Sequence, residues 1–328
     1  MESLLKAFTI ACLTFGLEAV DMISLPPYKG STFRGGFGCA FKKATCVLRN
    51  QTCDSCLLKE KCVYSYVFET TLPSNSAIMR KYPRAPHPFV LEPPEEDRLM
   101  YRPGERITFG VILIGRAIDY LPHFIYSFDV LGQMGIGRGK GKFALKEVIS
   151  SRPIAAPAPP SKDTERSSLL YDGGSKTLKM DPSPLTWEDL LHDAIPPDHV
   201  TLYFRTPARI RFGGRYTLEL EFHILIRNLL RRIDTLSYFH CGERLEVDFK
   251  SLIEQANGVR TEDRDLQWFD WERYSQRQRI RMKMGGFVGS VTFRGDLRPF
   301  WPFLVLGRLI HVGKGTSFGL GRYEINES

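Results

Sequence analysis

Four cations alternate with uncharged residues near the end of the chain, and their spacing suits a nucleic acid. The cations are Arg277, Arg279, Arg281 and Lys283. On a β-strand, alternate residues share a face and lie about 6.6 Å apart, comparable with the spacing of phosphates along a nucleic-acid strand. Tyr274 lies just upstream, where its ring can stack on a base. The row predicts an RNA or DNA groove, although charge alternation is also typical of a solvated strand face.

Two glycine-rich loops carry basic residues that suit phosphate binding. They span Gly132–Phe143 and Gly313–Tyr323. Glycine lets a backbone approach a phosphate closely, and exposed N–H groups beside cations attract anions. The residues predicted to bind RNA here are Arg138, Lys140, Lys142, Gly313, Gly315, Gly319 and Gly321, with Lys314 as a further cation. Neither loop has the spacing of a nucleotide-binding phosphate loop, and two tight hairpins are the competing interpretation.

An amphipathic helix and the histidine at its end are candidates for RNA binding and proton transfer. Apolar residues recur at helical spacing and predict a helix over Glu221–Phe239. Arg227 and Arg231 lie on its polar face, where we expect them to bind RNA. His240 follows the helix and could move protons at neutral pH, although a helix C-cap is the competing interpretation. His311, just before the second loop, is the other candidate.

Four cysteines have the spacing of a metal site. Cys46, Cys53, Cys56 and Cys62 form the pattern Cys-x6-Cys-x2-Cys-x5-Cys, and Cys39 is a spare that could replace one of them. The central Cys-x2-Cys lets two thiolates share one metal ion, so we expect zinc. Four thiolates would leave no open position for catalysis, and the site would stabilise a loop. An iron–sulfur cluster is the alternative.

Composition narrows the class of partner. The 328 residues include 45 Lys and Arg against 37 Asp and Glu, for a formal net charge of +8. A polyanion is therefore the expected partner. The sequence has no run of about 18 apolar residues that could span a membrane. An odd number of cysteines that crowd together suits a reducing compartment, so we expect a cytoplasmic protein without a membrane partner.

The organisation of the chain predicts two α+β domains. A proline-rich stretch, 151–163, divides two basic halves that each contain strand, helix, strand and glycine-rich loop. We assign residues 1–150 to an amino-terminal domain with a cysteine-rich insertion at about 39–62, residues 151–195 to a connector, and residues 196–328 to a carboxy-terminal domain. Two tandem ferredoxin-like (RRM-like) domains are the simplest architecture for this order.

Taken together, these motifs resemble those of the repeat-processing endoribonucleases of CRISPR systems, the Cas6 family of the RAMP superfamily. The residues that carry the likeness are Pro27–Gly38, the cysteine group followed by Tyr64–Glu69, Pro86–Phe89, Gly132–Phe143, Arg273–Gln278 and His311–Gly321. The terminal Gly-x-Gly-x2-Phe-Gly-x-Gly run is the most specific part. The cysteine group marks one branch of the family.

The resemblance implies an enzyme that binds the CRISPR repeat in precursor RNA and cuts it without a metal or other cofactor. A general base would activate the ribose 2′-OH, which attacks the adjacent phosphate, and the products would be a 2′,3′-cyclic phosphate and a 5′-OH. Many family members carry a histidine in or after the first helix, whereas Pro26–Phe68 contains none. His240 is the proposed substitute. Its proposed partners are Tyr238, Tyr274 and Lys314, with Arg231 as a charge stabiliser.

Two other functions remain open. The chain could be a non-catalytic RAMP subunit that holds guide RNA with the other subunits of a CRISPR effector complex. It could also be a zinc-stabilised module whose glycine-rich loops contact protein. Phosphate binding should weaken steeply as salt rises. A steep salt dependence would therefore distinguish the nuclease and the guide-RNA subunit from the protein-binding module.

Overall fold

The computed structural model describes residues 5–72, 76, 78–79, 84–151, 168–191, 197–275 and 280–326. The first half is built around an antiparallel sheet in the order β3-β5-β1-β6-β7-β8, with β9 paired to β1. The strands of this half are β1 (Thr9–Ala19), β2 (Ile23–Ser24), β3 (Phe89–Glu92), β4 (Met100–Tyr101), β5 (Arg106–Ile114), β6 (Phe143–Ser150), β7 (Leu169–Asp172), β8 (Thr177–Leu178) and β9 (Leu185–Thr186). Strands β2 and β4 pair with each other outside the large sheet. The helices of this half are α1 (Gly30–Thr45), α2 (Leu121–Met134) and the short α3 (Trp187–Leu191).

The second half is built around an antiparallel sheet in the order β13-β16-β10-β17. The strands of this half are β10 (His199–Ala208), β11 (Arg211–Phe212), β12 (Arg215–Tyr216), β13 (Arg260–Phe269), β14 (Glu272–Ser275), β15 (Ile280–Lys283), β16 (Gly286–Arg294) and β17 (Tyr323–Asn326). The pairs β11–β12 and β14–β15 are separate two-stranded hairpins. Its helices are α4 (Phe222–Leu236), α5 (Phe249–Ala256) and α6 (Trp301–Ile310). A π-helical turn, Ser237–Cys241, extends α4.

Both halves have ferredoxin-like topology. In each, four strands and two helices follow one another as βαββαβ, and the strands lie in the spatial order second, third, first, fourth. The prediction of two tandem ferredoxin-like domains is confirmed. The connector differs from the expectation, since β7, β8 and β9, within residues 151–195, extend the first sheet. Residues 152–163 of the proline-rich stretch lie outside the described residues.

The strand β1 is buried on both faces, and this joins the two domains. Leu13 and Phe15 pack against the amino-terminal helices. Ile10 and Cys12 belong instead to the core that includes α4 and α6 of the second domain. A continuous apolar run is what a strand with two covered faces requires. The seam between the domains is therefore an apolar core. No helix in the described part of the chain has the length and apolar character needed to cross a membrane.

Candidate functional site: the seam between the two domains

The segment from Ser24, the last residue of β2, to Gly30, the first residue of α1, contacts both glycine-rich loops. At one end, the backbone N–H of Arg138 in the first loop donates to the carbonyl of Ser24 (2.9 Å). At the other, the Tyr28 hydroxyl donates to the carbonyl of Phe318 in the second loop (2.7 Å). A β-carbon at Gly30 would lie 2.1 Å from the same Phe318 oxygen, so only glycine fits where α1 begins. The two loops, separated by about half of the sequence, thus meet one segment.

The second loop has a backbone shape that requires glycine. Gly313, Gly315, Gly319 and Gly321 all have positive φ, between 76° and 85°. L-residues with side chains rarely adopt this conformation. These four predicted residues therefore shape the loop that presents Lys314, whose side chain is exposed.

His311 links this loop to the amino-terminal domain through hydrogen bonds. Its side chain is fully buried. The Nδ1 atom lies 3.2 Å from the carbonyl oxygen of Leu320, and Nε2 lies 3.2 Å from Oε1 of Glu92 on β3. Both neighbours are acceptors, so both nitrogens donate only when the ring carries two protons. Burial raises the pKa of Glu92, but the hydrogen bond from His311 and the charges of His311 and Arg322 outweigh it and hold this pKa below its ordinary value.

His240, the candidate for proton transfer, is also part of the seam. It is only 6% exposed. Its Nε2 lies 2.8 Å from the carbonyl of Pro86 and its Nδ1 lies 3.2 Å from the hydroxyl of Tyr66, so the neutral ring donates to the first and accepts from the second. Burial, together with the charges of Arg116 and Arg232, lowers its pKa to about 4 although the bond to Pro86 opposes this. This geometry favours a structural contact between the domains over proton transfer to RNA.

Of the other predicted catalytic residues, Tyr238 shares a cavity with His240, whereas Lys314 and Tyr274 lie on other elements. Tyr238 lines a cavity of about 470 Å³ with His240, Arg116 and Asp119. Lys314 belongs to the second loop, where its backbone N–H donates to the carbonyl of Arg209 (3.1 Å). Tyr274 lies on β14, directly opposite Arg281 on β15. The structure therefore distributes these candidates among three elements.

The predicted RNA-binding cations lie mostly on the surface. The exposed side chains among them are Arg138, Lys140, Lys142, Arg227, Arg231, Lys283 and Lys314. The predicted alternating row is only partly described: β15 carries Arg281 and Lys283, while Arg277 and Arg279 lie outside the described residues. The strand-face geometry of the whole row therefore stays a prediction.

Sequence reasoning missed a hairpin beside the second loop, β11–β12. Its Tyr216 ring lies 4.7 Å from the guanidinium carbon of Arg209 and 4.9 Å from that of Arg211. The signal was present, because two adjacent glycines between short Arg-aromatic pairs are typical of a tight hairpin. Trp271 was missed as well; its ring lies 4.4 Å from that of Tyr28 and links the domains.

The four cysteines of the insertion lie near one another. All are free thiols of intermediate exposure. Burial raises the pKa of Cys53, nearby Lys42 lowers it, and Cys46, Cys62 and Cys56 raise it further, so thiolates formed here would repel one another. The donor type and this proximity fit a thiophilic metal. As the side chains stand, however, no group of three or more His, Cys, Asp or Glu among the described residues is arranged to hold a metal ion.

Fold and seam define a protein with two tandem ferredoxin-like domains and a glycine-rich loop at their junction. Residues 8–181 match a family model described as the AF_1859 N-terminal domain, and residues 202–323 match the model of the CRISPR-associated endoribonuclease Cas6. The family that spans more than half of the chain is therefore that of the AF_1859 N-terminal domain, and the carboxy-terminal domain carries the match to Cas6.

One curated relative and several solved structures are similar to this chain. A protein from Archaeoglobus fulgidus is 33% identical over 112 residues, which cover 34% of this chain and 37% of that relative, so the match spans about a third of its length. A Cas6 product complex has a TM-score of 0.56 at 17% identity and covers 97% of this chain and 100% of that chain. Thermus thermophilus Cas6 has a TM-score of 0.53 at 16% identity and covers 97% and 99%. A partial Cas6-RT-Cas1–Cas2 complex has a TM-score of 0.57 at 16% identity and covers 99% and 47%. These structures share the fold.

Proposed function

We propose that this chain is an endoribonuclease that binds the CRISPR repeat within precursor RNA and cuts it once. The observation that carries the proposal is the docking of the second glycine-rich loop on the start of α1, with the Tyr28 hydroxyl bonded to the Phe318 carbonyl and Gly30 against the same oxygen. The match of the carboxy-terminal domain to Cas6 and the solved product complex of a structural relative support it. The cut RNA would pass to other CRISPR effector subunits.

The RNA would lie along the seam, where both loops present cations. Arg138, Lys140 and Lys142 belong to the first loop and Lys314 to the second, and all four side chains are exposed. One segment contacts both loops, because the Ser24 carbonyl accepts a hydrogen bond from Arg138 of the first loop and the Tyr28 hydroxyl donates one to Phe318 of the second. A polyanion that follows this segment meets cations at both ends.

The proposed reaction needs no metal ion. A base removes the proton of the ribose 2′-OH, the resulting oxyanion attacks the adjacent phosphorus, and the bond from phosphorus to the 5′-oxygen breaks as an acid protonates that oxygen. The products are a 2′,3′-cyclic phosphate and a 5′-OH. Lys314 is the proposed stabiliser of negative charge on the phosphorane, since it is exposed on the loop that meets α1. Tyr274 is the proposed proton-transfer group, and His240 would keep the seam closed.

Cleavage of end-labelled repeat RNA in excess EDTA tests this proposal. We expect a single cut with a cyclic-phosphate end in the unmodified protein, and cleavage about 10²-fold or more slower in Lys314→Ala with RNA binding largely kept. Lys250→Ala is the matched control, because Lys250 is an exposed lysine on α5 of the same domain. Loss of cleavage in EDTA by protein that keeps its zinc and its melting temperature would refute metal independence. Equal rates in both variants would refute the role of Lys314.

The second candidate is a subunit that holds guide RNA without cutting it. It is favoured by the engagement of both ring nitrogens in His240 and in His311, which leaves neither histidine free for proton transfer. In the same assay, tight binding without any cut would identify this function.

We also propose that Cys46, Cys53, Cys56 and Cys62 hold a structural zinc ion. Their thiol chemistry and the mutual proximity of Cys53 with the other three support the site. Binding would require rotation of the side chains into a tetrahedron. Metal analysis of the purified protein should give about one zinc per chain, and Cys53→Ser should lose it. Iron with visible absorption would indicate a cluster instead.

A further inference from the structure

The cavity of about 470 Å³ that His240 lines lies at the end of the seam away from the second glycine-rich loop. His240 contacts Pro86, before β3, whereas the loop contacts Glu92 at the end of β3 through His311. The chain between these two contacts spans about 20 Å when extended. Among the described residues, neither glycine-rich loop contributes to the wall of the cavity. Its volume is that of a small-molecule site.

Two irregular turns, one from each domain, form much of this wall. The 3₁₀ turn Gly115–Tyr120 precedes α2, and the π-helical turn Ser237–Cys241 follows α4. They meet at Gly115, where φ is 55° and a β-carbon would lie 2.2 Å from the carbonyl oxygen of His240. π-helical turns occur often at functional sites. Because the two backbones are in contact, the cavity forms only when the domains pack together.

An arginine and an aspartate of the 3₁₀ turn line the cavity without pairing with each other. Residues three apart in such a turn are eclipsed, so Arg116 and Asp119 lie on the same side of it. The guanidinium carbon of Arg116 lies 4.1 Å from the centroid of the Tyr66 ring, against which it stacks. Asp119 is exposed, and within the part of the chain that the structure describes it has no hydrogen-bond or ion-pair partner. A ligand that offers an acceptor beside a donor would engage both.

A guanine base has the edges that complement this pair. Its O6 and N7 atoms accept two hydrogen bonds from an arginine fork, and its N1–H and 2-amino groups donate to a carboxylate. Adenine carries an amino group at position 6, where the arginine requires an acceptor. The rings of Tyr238 and Phe239 line the same cavity, with centroids 4.9 Å apart, so a planar base can contact an aromatic ring there.

We propose that this cavity binds a guanine base, with Arg116 donating to O6 and N7 and Asp119 accepting from N1–H and the 2-amino group. The base belongs either to a free guanine nucleotide or to a guanosine in RNA, and the chemistry of recognition is the same in both. This inference goes beyond the proposed function, because it does not require the chain to cut RNA. Since both domains build the wall, a bound base also stabilises their packing.

Calorimetric titration with the 5′-monophosphates of guanosine, adenosine and xanthosine tests the inference. The unmodified protein should prefer the guanosine nucleotide about tenfold. Xanthine has an oxygen in place of the 2-amino group, and the amide of Asp119→Asn can donate to that oxygen. This variant should therefore lose guanosine affinity about tenfold and gain xanthosine affinity, an exchange that a purely structural role of Asp119 would not produce. Arg116→Lys keeps the charge without the fork and should also bind guanosine less tightly. Asp265→Asn, at an exposed acid of β13 outside the cavity, is the matched control.

A second titration distinguishes the two sources of the base. If the base belongs to RNA, a uridine oligomer with one central guanosine should bind about tenfold more tightly than oligouridine, and Asp119→Asn should remove the difference. If it belongs to a free nucleotide, the guanosine nucleotide binds and the two oligomers bind alike. No preference for guanine in either titration would overturn the inference, as would an Asp119→Asn variant with unchanged preferences. A preference for guanine in a protein that does not cut repeat RNA would leave the inference standing and remove the nuclease proposal. Melting temperatures identify any variant that fails to fold.

Discussion

The protonation of His240 should make the seam between the domains sensitive to acid. Burial lowers the pKa of this histidine from 6.5 to about 4. In the unfolded chain His240 has its ordinary pKa. As pH falls below 6.5, the unfolded state therefore binds a proton at His240 while the ring in the folded state stays neutral. The stability contributed by the neutral ring is therefore complete above that pH and is lost progressively as pH falls towards 4. Between pH 7 and pH 5 the loss in unfolding free energy amounts to about 2 kcal/mol.

Urea unfolding at pH 7 and pH 5 measures this effect. A glutamine at position 240 cannot titrate, so His240→Gln should lose about 2 kcal/mol less than the unmodified protein over this interval. Burial and the charge of Arg34 lower the pKa of His87 in both proteins, and only the smaller effect of the His240 charge on His87 differs between them. Equal losses in His240→Gln and the unmodified protein would refute the reasoning.

Four further outcomes follow from the seam and the insertion. Gly30→Ala should destabilise the protein by about 1–3 kcal/mol in thermal unfolding, because its methyl group would collide with the Phe318 carbonyl; an unchanged melting temperature would contradict the close docking. Glu92→Gln should lower stability by about 1–3 kcal/mol, since a buried His311 loses its charged acceptor, whereas Glu60→Gln, at an exposed site, should not. Affinity for repeat RNA, measured by anisotropy, should fall by more than tenfold between 50 and 200 mM salt, and a flat salt dependence would exclude phosphate binding. Cys53→Ser should abolish zinc binding and lower the melting temperature, and an unchanged metal content would remove the site.

Local elements of this protein were predictable from the sequence. Residues 7–17 form an apolar run that predicts a buried strand, and β1 occupies Thr9–Ala19. Helical periodicity predicts a helix over Glu221–Phe239, and α4 occupies Phe222–Leu236 before a π-helical turn. The repeated order of strand, helix, strand and loop predicts the two ferredoxin-like domains. In each case the spacing of apolar residues along a short segment indicates which face of the helix or strand is buried.

The roles of single polar residues were less predictable. His240 follows a helix with an exposed polar face, so the sequence favours an accessible histidine, whereas Tyr66 and Pro86 of the other domain enclose it. The hairpin at Arg211–Tyr216 carries its cations within a short glycine-containing turn. Residue types near such a turn do not indicate which other elements will cover it.

What the sequence alone determined is the architecture: the basic charge, the strand and helix order, and the glycines that let the second loop adopt positive φ. Only the tertiary structure decided which residues meet at the seam. Glu92 and His311 are separated by 219 positions, and Tyr28 and Phe318 by 290. Periodicity and turn chemistry report preferences that act within a few residues, whereas burial and pKa depend on how two finished domains pack. The chemistry of the seam therefore follows from β1 being covered on both faces, which brings the edge strand β3 and the start of α1 against the second glycine-rich loop.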